Sequence, residues 1–267
     1  MASGNAWRVL GTGEGDGVIL ACDYATAARP EAQFSHFVTH LTPARTVWET
    51  AMPKPGTESG WRAEDYLDWW TAPLRASGVR VDAVLGFCAG SVFAAGVARE
   101  VARQQSQPVP LVVLEPELPG ALALYDHYHR AVELFAPVLD RSAVDGMQEA
   151  GQELLARDGD LQVFGPALAG LYERVADDAM AKIGLNAGRR AELIAVFTSF
   201  INWVVAAGPI DPAPEWAGAV CVSAKGDIDP SIALGRLITV DVDHDRMLAD
   251  PGVVRTVVDA LDQGVRP

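Results

Sequence analysis

The stretch Val81-Asp82-Ala83-Val84-Leu85-Gly86-Phe87-Cys88-Ala89-Gly90-Ser91-Val92-Phe93 decides the fold. Its first half is a short apolar run of the kind that forms a buried strand. From Val92 onward, Phe93, Gly96, Val97 and Val101 recur with helical spacing. Between the two lies Gly86-Phe87-Cys88-Ala89-Gly90, a glycine-flanked turn from strand to helix. This is the pattern of a nucleophile elbow, G-x-S-x-G, with cysteine in place of serine. The small residues have a mechanical reason, because a nucleophile on so tight a turn takes strained backbone angles and flanking side chains would clash. The helix that follows favours an anion at its N-terminus, which can lower a thiol pKa and stabilise an oxyanion. The plain alternative is a buried structural cysteine at a tight turn.

Reading outward, β-type runs alternate with helical ones. Residues 7–10 and 18–22 read as strands. Gly11, Gly13, Gly15 and Gly17 between them suggest a dinucleotide loop, but Asp16 occupies the third glycine position and the segment leads into a strand, so a flexible hairpin turn is expected. Residues 31–41 read as a helix, 46–49 as a strand and 52–60 as a turn-rich loop. Residues 63–77 form a helix with Tyr66, Leu67, Trp70 and Leu74 on one face. Residues 111–114 are the next strand. This rhythm predicts a mostly parallel sheet with helices on both faces. It stops after Pro119. Helical stretches then include residues 131–138, a run with Leu168, Leu171, Val175 and Met180, and residues 189–205. Strands resume at 219–222 and 237–242, and a last helix spans 253–261. The expected organisation is an α/β core of residues 1–120 and 208–267, with residues 121–207 inserted as a helical lid.

Composition narrows the function classes. Half-hydrophobic composition in 267 residues supports a substantial core. A net charge of −14 argues against nucleic acid and against an anionic membrane surface. No apolar run suggests a membrane span, and the N-terminus lacks the apolar segment of a signal peptide. Cys22, Cys88 and Cys221 are too few for a disulfide framework, so a reduced, cytoplasmic protein is expected.

A cysteine nucleophile needs a base. His244, in Asp241-Val242-Asp243-His244-Asp245, follows the last strand, where the histidine of this architecture comes in chain order. Two carboxylates compete to orient it. Glu115 directly follows the strand at 111–114, and Asp229 follows a later one; strand C-terminal ends are where α/β sites assemble. Other features rank lower. His36 and His40 have the spacing of a metal pair without an evident third ligand. Asp126, His127 and His129 stand at the entrance to the helical insertion. Tyr66, Trp69 and Trp70 read as core.

The elbow, its spacing to Glu115 and His244, and the stretch Ala21-Cys22-Asp23-Tyr24-Ala25-Thr26-Ala27-Ala28 with Phe34 and Leu41 downstream together resemble the thioesterase branch of the α/β-hydrolases. These are the releasing enzymes of polyketide and nonribosomal peptide assembly lines. The resemblance covers about residues 18–120 and 219–261. It implies an α/β-hydrolase fold, with backbone N–H groups of Ala25 and Ala89 as the oxyanion hole. It also places the acid after the strand that follows the elbow, which favours Glu115; the family residue there is aspartate. A free-standing chain with a Cys, acid, His set is most similar to the Dieckmann cyclases of tetramic acid and pyridone biosynthesis.

The resemblance implies release of a β-ketoacyl-aminoacyl chain by carbon–carbon ring closure. The substrate would arrive on the phosphopantetheine of a partner carrier protein, with no cofactor or metal of the enzyme's own. An editing thioesterase using the same residues and water is the second expectation, and a non-catalytic binding protein of the same fold the third. Because carrier proteins are usually acidic as well, docking calls for a local patch, for which Arg174, Lys182, Arg189 and Arg190 are the candidates.

Overall fold

The computed structural model describes residues 6–25, 31–224 and 232–264. The chain divides into two compact units. One comprises Met1–Met52, Ala63–Glu117 and Ile210–Pro267; the other comprises Pro53–Arg62 and Leu118–Pro209.

The first unit is built on seven strands: β1 (Trp7–Gly11), β2 (Gly17–Cys22), β3 (Val47–Thr50), β4 (Arg80–Phe87), β5 (Leu111–Leu114), β6 (Val220–Ala224) and β7 (Arg236–Val240). They lie in the order β1-β3-β2-β4-β5-β6-β7. All pairs are parallel except β1 with β3, where Trp7 faces Thr50. The glycine-rich link between β1 and β2 is therefore not a hairpin turn. β3 inserts between the two strands, since β2 runs parallel to β3 while β1 runs against it. Gly13 fits there because a side chain would overlap the backbone of Ala44 and Arg45.

Period-two burial explains why both faces of the sheet are covered. Ile19, Ala21, Ala83, Leu85, Phe87, Val112, Leu114 and Val222 point to one face. There they pack with α1 (Phe34–His40), the 3-10 turn His244–Ala249 and α9 (Pro251–Gly264). The opposite face meets α3 (Gly90–Gln105): a side chain on Gly86 would lie 2.6 Å from the Cα of Ser91. Behind α3 packs α2 (Ala63–Ser77), whose Tyr66 and Trp70 rings sit 5.6 and 5.2 Å from Phe93. Those aromatics are core, and Trp69 donates to the Ala51 carbonyl at 3.1 Å. The expected helix at 31–41 shortens to α1. His36 Nδ1 accepts the Gln33 N–H in its N-terminal cap, which gives this histidine a structural task in place of a metal-pair one. The strand expected at 237–242 begins and ends earlier, as β7.

The second unit is helical: α4 (Ala121–Glu133), α5 (Arg141–Arg157), α6 (Leu161–Lys182) and α7 (Ala187–Ala207). Short α8 (Ala213–Trp216) returns the chain to the first unit. The helix expected at 131–138 ends at Glu133 and gives way to turns, since Pro137 supplies no N–H and restricts Ala136. α6 and α7 start on side-chain caps, Asp160 and Asn186. They approach closely, since a side chain on Gly165 would overlap Val205. By length and composition α7 could cross a membrane, contrary to the sequence expectation, yet it pairs here with α6. The loop Pro53–Arg62 belongs to this unit and not to the sheet-bearing one. Its Glu58, 1% exposed, accepts a hydrogen bond from Ser199 of α7.

Candidate active site

The strand order creates a crevice. From β2 the chain crosses through α1 to β3 on one side, then through α2 to β4 on the other. The C-terminal ends of β2 and β4 are thus the point where the winding reverses, the usual ligand position in open α/β sheets. Cys22 ends β2 in register with Gly86 of β4. The elbow leaves one strand and the segment Asp23-Tyr24-Ala25 the other.

Cys88 stands at the turn with φ of +51°, a left-handed conformation uncommon for a side chain of this kind. Its N–H donates to the Leu114 carbonyl at 3.0 Å, and its carbonyl accepts from Ser91 at 3.0 Å and from Glu117 at 3.4 Å. Both flanking glycines are sterically required. A side chain on Gly90 would come within 3.0 Å of Asp23 Cα, and one on Gly86 would strike α3. Strand, turn and helix therefore present the thiol as the sequence pattern anticipates.

The half-buried thiol donates a hydrogen bond to Glu117 Oε2 at 2.8 Å. Burial pushes the Cys88 pKa well above its ordinary range, and the negative Glu117 beside it pushes further. The Ala89 N–H at the head of α3 opposes this, while Asp23 adds to it. Ala89 is buried, and Ala25 is half-buried in the segment after β2.

Glu115, 9% exposed, also has positive φ, +46°. Its Oε1 accepts the Ala224 N–H at 2.6 Å, and its Oε2 accepts from Ser223 Oγ at 3.3 Å. Its own N–H donates to the Val222 carbonyl at 3.0 Å, extending the β5–β6 ladder. Glu115 is thus tied to the end of β6.

His244 heads the 3-10 turn, which Met247 and Leu248 anchor in the core. Its ring stacks on Phe87, the residue before Cys88, with centroids 5.1 Å apart. It lines a cleft of about 350 Å³ with Ala224, Val240 and Asp243. Ala224 therefore links Glu115 to the wall of the His244 cleft. Among the described residues, His244 is hydrogen-bonded to neither Cys88 nor Glu115. Asp229 lies outside the described residues.

Sequence reasoning missed Glu117. Its signal was a second carboxylate in Glu115-Pro116-Glu117, on the loop after β5 beside the elbow. The lower-ranked histidines lie on α4. His127 meets Phe200 edge-on at 4.9 Å, and His129 Nδ1 lies 3.4 Å from Gln148 Nε2. Two of the four cations proposed for docking are engaged locally: Arg190 with Asp177 at 2.7 Å and Arg189 with Glu192 at 2.9 Å.

No protein-family model and no curated protein matches this chain. Solved structures do. A holo four-domain nonribosomal peptide synthetase bound to AMP and glycine aligns with 98% of the chain at 16% identity and a TM-score of 0.61. The chain spans only 20% of that synthetase. The Vlm2 thioesterase domain carrying a bound dodecadepsipeptide aligns at 14% identity and a TM-score of 0.51, covering 97% of each chain. An enol-lactonase from Burkholderia xenovorans aligns at 15% identity and a TM-score of 0.54, covering 96% of this chain and 95% of its own. At these identities the likeness is one of fold, and the fold is that of the α/β-hydrolases.

Proposed function

We propose that this α/β-hydrolase-fold chain is a thioester-cleaving enzyme that releases carrier-bound acyl chains, and that it does so by Dieckmann ring closure. The carrying observation is Cys88 itself. A thiol held at positive φ between two sterically required glycines, at the reversal point of the sheet, is an arrangement that costs backbone strain. The similarity of fold to a thioesterase domain and to a nonribosomal peptide synthetase supports a carrier-bound substrate.

In this reading the Cys88 sulfur displaces the carrier thiol and becomes acylated. The Ala25 and Ala89 N–H groups face the oxyanion. His244 is the base that takes the proton from the methylene between the two carbonyls of the substrate. Glu115 is the acid member, acting on the His244 cleft through Ala224. The enolate carbon attacks the Cys88 thioester, the carbon–carbon bond forms, and the Cys88 thiolate leaves and recovers a proton from the His244 imidazolium. A thioester intermediate suits this outcome, since it resists water comparatively well and acylates carbon readily. Holding both ends of one chain close supplies much of the rate.

The test is the mass of the product. The protein is incubated with a short β-ketoacyl-aminoacyl thioester, beside a no-enzyme control and Cys88→Ala. A product equal to substrate minus thiol supports ring closure. One heavier by a water replaces it with an editing thioesterase. No turnover, together with a Cys88 that iodoacetamide does not label, replaces it with a binding protein.

A further inference from the structure

In a Cys–His pair, the thiol proton is expected on the histidine. Here it is directed elsewhere. The Cys88 thiol donates to Glu117 Oε2 at 2.8 Å, while the His244 ring is stacked on Phe87. The contact is built into the backbone. Glu117 N–H donates to the Cys88 carbonyl, Cys88 N–H to the Leu114 carbonyl, and between them Glu115 turns the chain at positive φ. Buried Pro116 fixes the step between the two carboxylates. Glu117 is half-buried, so its carboxylate meets the thiol with only part of its water shell removed.

We propose that Glu117 is a catalytic residue of the same site, the group that holds the Cys88 proton at rest and accepts it when the sulfur attacks. This rests on the thioester-cleaving function proposed above and divides the proton chemistry of that site between two bases. In the acylation step the Sγ–H proton passes to Glu117 Oε2 as the Sγ–carbon bond forms at the substrate thioester. The carbon–sulfur bond to the carrier then breaks, and the leaving thiolate takes that proton from the Glu117 carboxylic acid. Glu117 ends as a carboxylate and the carrier as a free thiol, with nothing oxidised or reduced. His244 remains neutral for the carbon acid in the next step. The arrangement also explains why the resting thiol is kept protonated: Glu117 and Asp23, both acidic, act on the sulfur. A protonated thiol is protected from stray electrophiles and oxidation until a thioester is seated.

The experiment compares the wild-type protein with Glu117→Gln, which keeps the shape and removes the charge, and with Glu117→Asp, which keeps the charge. Two rates are read at Cys88 by mass spectrometry: alkylation by iodoacetamide from pH 6.5 to 10, and acylation by a simple acyl thioester in a single turnover. Glu117→Gln is expected to shift the alkylation profile to lower pH, raising the rate at pH 8 by about tenfold, because less proton affinity remains at the sulfur. The same variant is expected to acylate at least about 100-fold more slowly, the usual scale of a lost general base. Glu117→Asp is expected to recover part of that loss. If only His244 served the thiol, the lower pKa of Glu117→Gln would leave acylation unchanged or faster, which overturns the proposal. An alkylation profile identical to wild type also overturns it. If the wild-type protein itself is not acylated, the proposed function fails, while the alkylation shift still decides whether Glu117 holds the proton.

Discussion

Gly90 and Cys22 are pressed together: a methyl group on Gly90 would overlap the Cys22 carbonyl oxygen and approach Asp23 Cα to 3.0 Å. The first residue of α3 therefore sets the separation between the elbow and the segment that carries Ala25. Gly90→Ala is expected to push these apart and to destabilise the fold by about 1–3 kcal/mol, the usual cost of overpacking against backbone. Urea unfolding followed by tryptophan fluorescence reads the loss. An unchanged midpoint would mean that the crevice yields at no cost.

The elbow was legible in the sequence because its cause is local. Gly86 and Gly90 have no room for side chains, and Cys88 between them follows a strand and precedes a helix. β5, α2 and α3 were legible for the same reason, since their apolar spacing matches the faces they bury. Position in the sheet was not legible. Nothing in residues 7–22 says that β3 will insert between β1 and β2, because strand order is set by crossovers far along the chain. α5 was missed because it buries Gly151 against Tyr128 and the polar Gln148 beside Val144 and Met147, so its apolar stripe is thin. Glu117 was missed because a hydrogen bond to a thiol leaves no periodicity, only a carboxylate on a loop.

Glu115 combines a left-handed backbone with a buried carboxylate, and the two contributions can be separated. Glu115→Ala leaves the Ala224 N–H without its acceptor, at about 1–3 kcal/mol, and keeps the strained φ. Glu115→Gly loses the same acceptor but relieves about 1–2 kcal/mol of left-handed strain. Glu115→Gly is therefore expected to be no less stable than Glu115→Ala, although it removes more atoms. Chemical denaturation of the pair checks this. A glycine variant clearly weaker than the alanine one would show that φ of +46° carries no strain here.

Buried thiols give the stability a defined alkaline limb. Burial, and then Glu115, pushes Cys221 up to about 12 from an ordinary value of 9.0. Cys22 is raised further, by burial and then by Asp23 and Glu49. Below pH 9 these thiols are protonated in both the folded and unfolded chain and contribute no pH dependence. Above it the unfolded chain releases protons that the folded chain retains, so stability falls as pH rises towards 12. Tyr172, raised to about 12 by burial, adds to the decline from pH 10 upward. Unfolding midpoints measured between pH 8 and 10.5 are expected to decline, and to decline less steeply in Cys221→Ala. Parallel declines in the two proteins would remove Cys221 from the account.

Within the helical unit, Glu58 ties the loop Pro53–Arg62 to α7 through Ser199. Both residues are buried, and among the described residues Glu58 Oε2 has no hydrogen-bond partner and the Ser199 hydroxyl is the side-chain donor to this carboxylate. Ser199→Ala removes it and leaves both oxygens of a buried carboxyl group unsatisfied, at a cost of about 1–3 kcal/mol. The loop can relieve that cost by lifting Glu58 into water, which would free the turn in which Trp61 N–H donates to the Glu58 carbonyl at 2.9 Å. Amide hydrogen exchange in residues 53–62 is therefore expected to accelerate in Ser199→Ala, while exchange in β4 and β5 stays as in the wild type. Glu58→Gln, which can still pair with Ser199 and carries no charge to desolvate, is expected to keep the loop protected. Equal exchange in all three proteins would mean that the loop is held by something other than this pair.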